Sequence, residues 1–527
     1  MIVVSGIRIP LGATGEDAAD AACSLIKIPR GAVADYKLRR VSYDARHGRV
    51  SAVCSVLLTL KDEGAERSLC ASVPFVSLIN KTPFTVTQGK KKLPSRPIIA
   101  GFGPAGMFAA YLLSLHGYRP LVIERGGSLD ERVGAVEGFF EGKPLESENN
   151  VQFGEGGAGT FSDGKLTTRI NDPLCDFVIE TFLKLGAPQD IAVKAKPHIG
   201  TDKLRAVVRA MRNAIIENGG EVRFHTCLDG IEVKNGRLTA AVFGGESVRA
   251  DALVLACGHS ARDTFKMLGD AGLDLTAKPF SVGARIEHLQ SEVNRALYGE
   301  EYLNPLLPSA EYNFSAHCGA RGVYTFCMCP GGVVVPAASE EGGTVTNGMS
   351  GYARDGKNAN SALVVSVGER EFGTDPFAAI EFQRKIEAAA FAAAGGDFKA
   401  PACDVKSFLD GRAALNIKNV EPSYSRGVVP ASFDEILGKE TADAMRYGIK
   451  EFSKKAAFWK DGGAVLTGAE TRTSSPVRIV REDSREAKNT AGVYPCGEGA
   501  GYAGGIMSAA VDGLKTAAAI IEEWKAD

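Results

Sequence analysis

Three observations predict a mostly parallel α/β fold built from two separated pieces, with an α+β domain inserted between them and a small α+β domain ahead. The first is the spacing Gly101-x-Gly103-x-x-Gly106, set between the apolar run Ile98–Ala100 and an Ala/Leu-rich stretch. The second is a strand–turn–helix pattern over residues 492–519. The third is a β-α-β-β order within residues 1–90.

Residues 1–90 open with a strand from Ile2 to Ile9 and a helix from Glu16 to Lys27 after Thr14-Gly15. Strands Tyr36–Tyr43 and Val50–Leu60 flank a turn at Asp44-Ala45-Arg46-His47-Gly48. The order predicts a ferredoxin-like unit, and Lys90–Pro97 reads as its linker. Residues 1–96 hold fifteen Lys/Arg against eight Asp/Glu. A basic unit of this shape can bind RNA, but the aromatic pattern for base stacking is missing. Docking on the acidic remainder of the chain is the plainer alternative.

Residues 96–275 and 470–527 are expected to form one discontinuous, Rossmann-like domain. Gly101 permits a tight turn, Gly103 lets backbone approach a pyrophosphate, and Gly106 lets the helix lie close on the strand. Pro104 and Ala105 open that helix, which runs to His116. Its free N–H groups and positive dipole end attract phosphate. A second apolar run, Leu121–Ile123, ends in Glu124 and Arg125. A carboxylate at Glu124 suits a free ribose 2′-OH, as in NAD or the adenosine half of FAD, and repels a 2′-phosphate.

Residues 154–165 are dense in glycine, and Gly157, Gly159 and Thr160 are placed on the ligand, with Lys165 as a charge partner. A solvent loop is the alternative. Lys203 to Glu217 reads as an amphipathic helix capped by Thr201 or Asp202. His198, ahead of it, reads as a satisfied structural histidine. Residues 219–228 read as a strand whose exit brushes an adenine near Leu228. The apolar run Ala252–Ala256 ends in a turn, Ala256-Cys257-Gly258, beside the ligand.

Residues 276–469 form the predicted insert, with strands at Ser281–Glu287, Gly322–Cys327, Val333–Val335 and Ala362–Val367 and helices near Pro376–Ala394 and Asp434–Lys455. Arg285 and Glu287 fall on one strand face, which favours a structural ion pair over acid–base work. Cys327 and Cys329 share a face as well. One C-x-C leaves two ligands of a tetrahedral metal site unaccounted for, so no metal is assigned. A dithiol relay lacks the usual C-x-x-C or C-x₄-C after the glycine fingerprint. Arg472, in the polar stretch 470–478, either binds an anionic substrate group or the reduced flavin, or lies in a solvated crossover.

The last pattern is a strand at Gly492–Pro495, a turn at Cys496–Gly499 and a helix over Ala503–Ala519. It resembles the second flavin motif of two-dinucleotide-binding flavoproteins of the glutathione reductase type, in which an acid after Gly binds the ribitol chain. Gly497 and Glu498 hold those positions here, with Glu in place of Asp. A helix N-terminus beside the flavin pyrimidine favours the reduced anion. Gly504 and Gly505 permit close approach, with Ile506 next to them, and Tyr502 either stacks on the ring or fills a domain interface.

The segments GFGPAGMFAA, FGEGGAGTFSDGKL, KPHIGTDKL, ARIEH, FCMCPGG, ETRTSSPVRI and CGEGAGYAGGIMSAAVDG carry a wider resemblance. From residue 97 onward the chain resembles a bacterial family of FAD-dependent, NAD(FAD)-utilising dehydrogenases. That resemblance implies bound FAD and redox chemistry, without a substrate or a catalytic residue.

Composition bounds the rest. The 527 residues are 45% hydrophobic with net charge −2, which removes any strong pull toward nucleic acid or membrane. Eleven cysteines without a C-x-x-C read as reduced thiols in a cytoplasmic protein. Neither a signal-peptide pattern nor a membrane-length apolar run is expected. The expected activity is that of an FAD-dependent oxidoreductase. No second G-x-G-x-x-G is present for NAD(P)H, so NAD(P)H is kept as a transient donor, beside direct oxidation or reduction of an organic substrate held by the insert. The alternative is a flavin-binding module acting on RNA or protein through its basic first domain.

Overall fold

The structure is a computed structural model that describes residues 1–46, 50–79, 84–460 and 463–526. His47 and Gly48 of the expected turn lie outside the described residues. The first unit runs strand Ile2–Ile9, helix Gly15–Leu25, strands Val33–Asp44 and Ser51–Leu60, helix Glu63–Ser72 and strand Val76–Leu78. Its antiparallel sheet is ordered 33–44, 51–60, 2–9, 76–78. Thr14 caps the first helix reciprocally, its hydroxyl accepting from Asp17 N–H at 3.2 Å while the Asp17 carboxylate accepts from Thr14 N–H at 2.7 Å. The outer strand does not end the sheet blindly. Val41 N–H donates to Val193 at 2.6 Å, and Ala195 N–H donates to Val41 at 2.8 Å. The basic unit is thus joined to the rest through an edge strand.

The second unit is a five-stranded parallel sheet ordered 493–495, 253–255, 98–100, 121–123, 221–223. Each strand is three residues long and apolar, except the outermost, as expected for strands covered on both faces. Helix Pro104–Leu115 is apolar all round because it lies between this sheet and helix Ile506–Glu523. A Cβ on Gly513 would stand 2.1 Å from the Ala105 carbonyl oxygen, so glycine there allows the close crossing.

Three expectations are corrected. The amphipathic helix is Thr201–Glu217 with Gly200 as its N-cap, so neither Thr201 nor Asp202 caps it. Thr201 instead donates to the Thr160 carbonyl at 2.7 Å, and Asp202 accepts from Tyr352 N–H at 2.8 Å. The stretch 219–228 is not one strand: Glu221–Arg223 ends the parallel sheet, and Leu228–Lys234 starts a separate antiparallel one. The terminal helix begins at Ile506 rather than Ala503, because Gly505 adopts φ +96°.

The inserted residues build a seven-stranded sheet ordered 315–318, 321–329, 358–367, 280–289, 465–470, 400–404, 428–430. The expected helix over 434–455 is two helices, Phe433–Leu437 and Lys439–Ser453, broken at Gly438 with φ +80°. An aromatic cluster of Tyr312, Phe314, Phe452, Phe458 and Trp459 fills one face. Strand Val465–Glu470 lies inside this sheet, and residues 471–473 then lead to strand Val477–Ile479, which pairs with Leu275–Ala277 ahead of the parallel strand Val493–Pro495. The expected linker is also fixed: Lys91–Lys92 pairs in parallel with Trp524–Lys525. Among the described residues no helix is long and apolar enough to cross a membrane.

Candidate functional site

One large cavity opens at the carboxyl ends of the parallel strands, where the first glycine turn, the glycine-rich loop, the last turn and the inserted sheet meet. Its empty volume is about 1520 Å³, counting the open mouth.

The three fingerprint glycines do different work. Gly101 sits at φ +100°, and a Cβ there would lie 2.4 Å from the Ala256 carbonyl oxygen. A Cβ on Gly106 would lie 2.0 Å from the Gly101 oxygen, so Gly106 packs the turn and does not line the cavity. Gly103 differs. A Cβ on it would meet one atom within 4 Å, the Gly157 Cα at 3.6 Å, an ordinary contact. The protein leaves Gly103 bare on the cavity side without needing to do so for its own packing. With the first-turn N–H groups that follow Pro104, beginning at Ala105, this cradle fits a pyrophosphate.

Glu124 lines the cavity and is 5% exposed. Its carboxylate accepts from three amides: Phe102 at 2.8 Å, Gly126 at 3.0 Å and Gly154 at 2.9 Å. It therefore ties the two glycine loops together, with little acceptor capacity left for a ribose. Arg125 is held by Glu148 at 2.5 Å and Asp263 at 2.6 Å, and lies over the Phe153 ring. Leu228, Ala256, Cys257 and Gly258 line the adjoining wall, Gly258 with φ +77°.

Gly157 (φ +63°) and Gly159 face the cavity, Gly159 within reach of Ile506. Thr160 does not: it is fully buried behind the loop, where its carbonyl takes the Thr201 hydroxyl. What fixes this loop is Arg132, which sequence reading missed. Its fully buried guanidinium donates to the carbonyls of Asn150, Val151, Gly154, Glu155 and Gly157 at 2.7–3.2 Å.

At the last turn, Gly497 (φ +77°) lies behind the cavity wall, where a Cβ would be 2.6 Å from the Ala105 side chain. Its N–H donates to Asp512 at 2.8 Å, and Asp512 is clamped by Arg481 and Arg485. Burial pushes the Asp512 carboxyl up, but Arg481, the Gly497 N–H and Arg485 outweigh it and bring it to about 2. Glu498 lines the cavity and accepts from Gly505 N–H at 3.1 Å; Gly505 and Ile506 follow on the same wall. Tyr502 stands outside, with Arg481 3.7 Å above its ring and its hydroxyl accepting from Arg481 N–H.

The inserted sheet supplies the far wall with Phe326, Cys327 and Glu470, joined by Asn347 of the ribbon strand Thr346–Met349, with Lys165 and Arg472 beside them. Lys165 donates to the Met328 carbonyl and lies 4.0 Å from both Asp163 and Glu311. Arg472 is already occupied. Glu387 accepts from it at 3.1 Å twice, Ser339 accepts as well, and Glu387 also holds Arg262 at 2.8 Å. Arg285 and Glu287 do not pair with each other as expected. Arg285 pairs with Glu470 at 2.8 Å, while Glu287 accepts from Ser423 at 2.5 Å and Asn358 at 2.9 Å. His198 is buried, bonded to the Tyr352 carbonyl at 3.0 Å and stacked on the Tyr352 ring. His259, also missed, lines the cavity. Burial lowers its pKa, with the Glu498 charge opposing, and Ser260 lies 3.0 Å from its Nδ1.

Residues 279–473, the inserted sheet, match the family described as FAD-dependent protein, C-terminal domain-like. The chain is 48% identical over 443 residues to an uncharacterized protein of Clostridium beijerinckii, covering 84% of this chain and 83% of that one. Distant similarity extends to solved structures. NikD, an unusual amino acid oxidase, matches at TM-score 0.36 and 10% identity over 82% of this chain and 95% of that one. CtdE in complex with FAD matches at TM-score 0.32 and 10% identity over 81% and 83%. A geranylgeranyl bacteriochlorophyll reductase-like protein from Thermoplasma acidophilum matches at TM-score 0.34 and 13% identity over 81% and 78%. The cradle at Gly103 fits the dinucleotide that the family description requires. The chain belongs to one family with its clostridial relative, residues 279–473 are a domain of the FAD-dependent protein family, and FAD is its cofactor.

Proposed function

We propose that this protein is an FAD-dependent oxidoreductase, the flavin lying in the cavity between the parallel sheet and the inserted sheet. The observation that carries this reading is the convergence of both glycine motifs on one cavity whose far wall is polar and comes from the insert. In the proposed pose, the pyrophosphate rests on Gly103, Ala105, Gly157 and Gly159, the adenine lies toward Leu228, and Glu498 and Ile506 meet the ribityl and ring end. When bound, FAD supplies two-electron transfer to and from an organic substrate. The chain's part is to orient and enclose. Gly505 and Ile506 aim a helix N-terminus at the ring end, which favours negative charge there. His259, beside Glu498 on that wall, is the imidazole placed to hold a proton. NAD(P)H is proposed only as a visiting donor. The basic first unit acts as a docked structural unit, since its sheet edge is taken by residues 193–195.

The test is the visible spectrum of the purified protein, followed by anaerobic NADH or NADPH. Flavin bands that bleach establish a nicotinamide-dependent reductase. Bands that persist favour a substrate dehydrogenase. Colourless protein that FAD cannot reconstitute overturns the reading.

A further inference from the structure

Four cysteines line the cavity: Cys227, Cys257, Cys327 and Cys496. Burial pushes three of these thiols up, to about 11 at Cys227, about 12 at Cys257 and beyond at Cys496. Cys327 is built differently. It sits at φ +44°, a left-handed conformation rare for cysteine. The strand register slips there, between Phe326 and Cys329. Residues two apart in a regular strand lie roughly 6.6 Å apart, at the outer limit for a disulfide. A bulge bends the strand and re-aims a side chain, so the pair departs from that regular spacing. Cys329 is fully buried behind Cys327, its sulfur 3.4 Å from the Cys327 carbonyl oxygen.

Two cations hold the bulge. Arg285 donates to the Cys327 carbonyl at 2.9 Å, and Lys165 donates to the Met328 carbonyl. A hydrogen bond from the Cys329 thiol, with the Arg285 and Lys165 charges, lowers the Cys327 pKa against the upward push of burial. The strain, the cations and the second thiol meet on the wall that faces the proposed flavin. Strained backbone of this kind points from an outlier toward function.

We propose that Cys327 and Cys329 form a redox-active pair that cycles between dithiol and disulfide against the FAD, with a disulfide-bearing compound at the cavity mouth as the external partner. The inference rests on FAD occupying this cavity. In one direction the Cys327 thiolate and Cys329 thiol give up one electron pair and one proton and join through an S–S bond. Oxidised flavin takes the pair and the proton and becomes its reduced anion, so charge and protons balance. In the other direction reduced flavin returns them and the bridge opens. Toward an external disulfide, Cys327 attacks one sulfur and one thiol leaves. Cys329 then attacks Cys327, releasing the second thiol and closing the bridge.

The experiment uses the full-length, FAD-loaded, air-oxidised protein, titrated anaerobically with dithionite. The wild type should consume twice as much reductant per FAD as Cys329→Ser or Cys327→Ser. Alkylation followed by peptide mass mapping should find Cys327 bonded to Cys329 before reduction and both alkylated after it. Should Cys327→Ser not fold, Cys329→Ser and the wild-type mapping decide. Equal reductant uptake by wild type and variants, with both thiols alkylated throughout, overturns the pair and leaves the flavin reading standing. A chain that never retains FAD overturns the flavin reading itself.

Discussion

Gly103 and Gly106 stand three residues apart in one motif, yet a methyl group has opposite consequences at the two. At Gly106 the added carbon would lie 2.0 Å from a backbone oxygen that cannot move without undoing the turn. Gly106→Ala should destabilise the fold by about 1–3 kcal/mol or more, read as a shift in the chemical denaturation midpoint. At Gly103 the carbon meets the protein at ordinary contact distance. Gly103→Ala should keep the wild-type midpoint and lose FAD affinity at least about tenfold, which is about 1.4 kcal/mol; unchanged flavin content in that variant would remove the pyrophosphate from this turn. Asp512 gives a pH prediction. Its carboxyl lies at about 2 when folded, against about 3.9 in an unfolded chain. The stabilisation is therefore complete above the unfolded value and fades as pH falls toward 2. Asp512→Asn should cost about 2 kcal/mol at pH 7, and the gap to wild type should narrow by pH 3 in the same titration. The glycines were legible in the sequence because a turn and a close approach are local demands. Asp512, Arg132 and His259 were not. Arg132 is recognised by backbone carbonyls, which leave no sequence signature, and Asp512 answers to arginines 31 and 27 positions away.

At the scale of elements, the glycine-rich loop is ordered by one side chain. Five carbonyls converge on Arg132, and its removal takes from those of Asn150, Val151 and Glu155 their side-chain donor, while Gly154 and Gly157 keep a backbone one. Arg132→Met should destabilise by about 3 kcal/mol or more and weaken FAD retention with it; hydrogen exchange over 150–160 should rise first. The short parallel strands could be read because continuous apolar runs between turn residues have few other uses. Helix Glu63–Ser72 could not, since its polar positions serve distant partners: Glu66 accepts from the chain's amino terminus at 2.6 Å and from Leu60 N–H at 2.9 Å. The break at Gly438 was hidden for another reason. An isolated glycine in a helical pattern is ambiguous until the packing on either side is known.

At the scale of the molecule, the two large sheets are fastened by buried ion pairs. Glu387, on helix Pro376–Ala393 of the insert, accepts from Arg262 of the parallel unit and from Arg472 of the crossover. Two arginines hold its carboxyl far below the ordinary range against the upward push of burial. Glu387→Gln leaves Arg472 without its carboxylate, while Arg262 keeps Glu340 at 2.5 Å, and should cost about 3 kcal/mol, seen as earlier thermal unfolding, with the cavity wall at Arg472 loosened. Which side chains of the insert would face the cavity could not be read beforehand. The strand order 315–318, 321–329, 358–367, 280–289, 465–470 bears no simple relation to sequence order, so only the folded sheet brings Cys327 and Glu470 to one wall.

The parallel sheet is completed last. Strand Val493–Pro495 forms its edge, and helix Ile506–Glu523 covers the helix that begins at Pro104. A ribosome making this chain exposes the fingerprint early and its roof only after the entire insert has emerged. Until that roof is in place, the apolar helix Pro104–Leu115 is uncovered surface of the kind that promotes aggregation in a partly made chain.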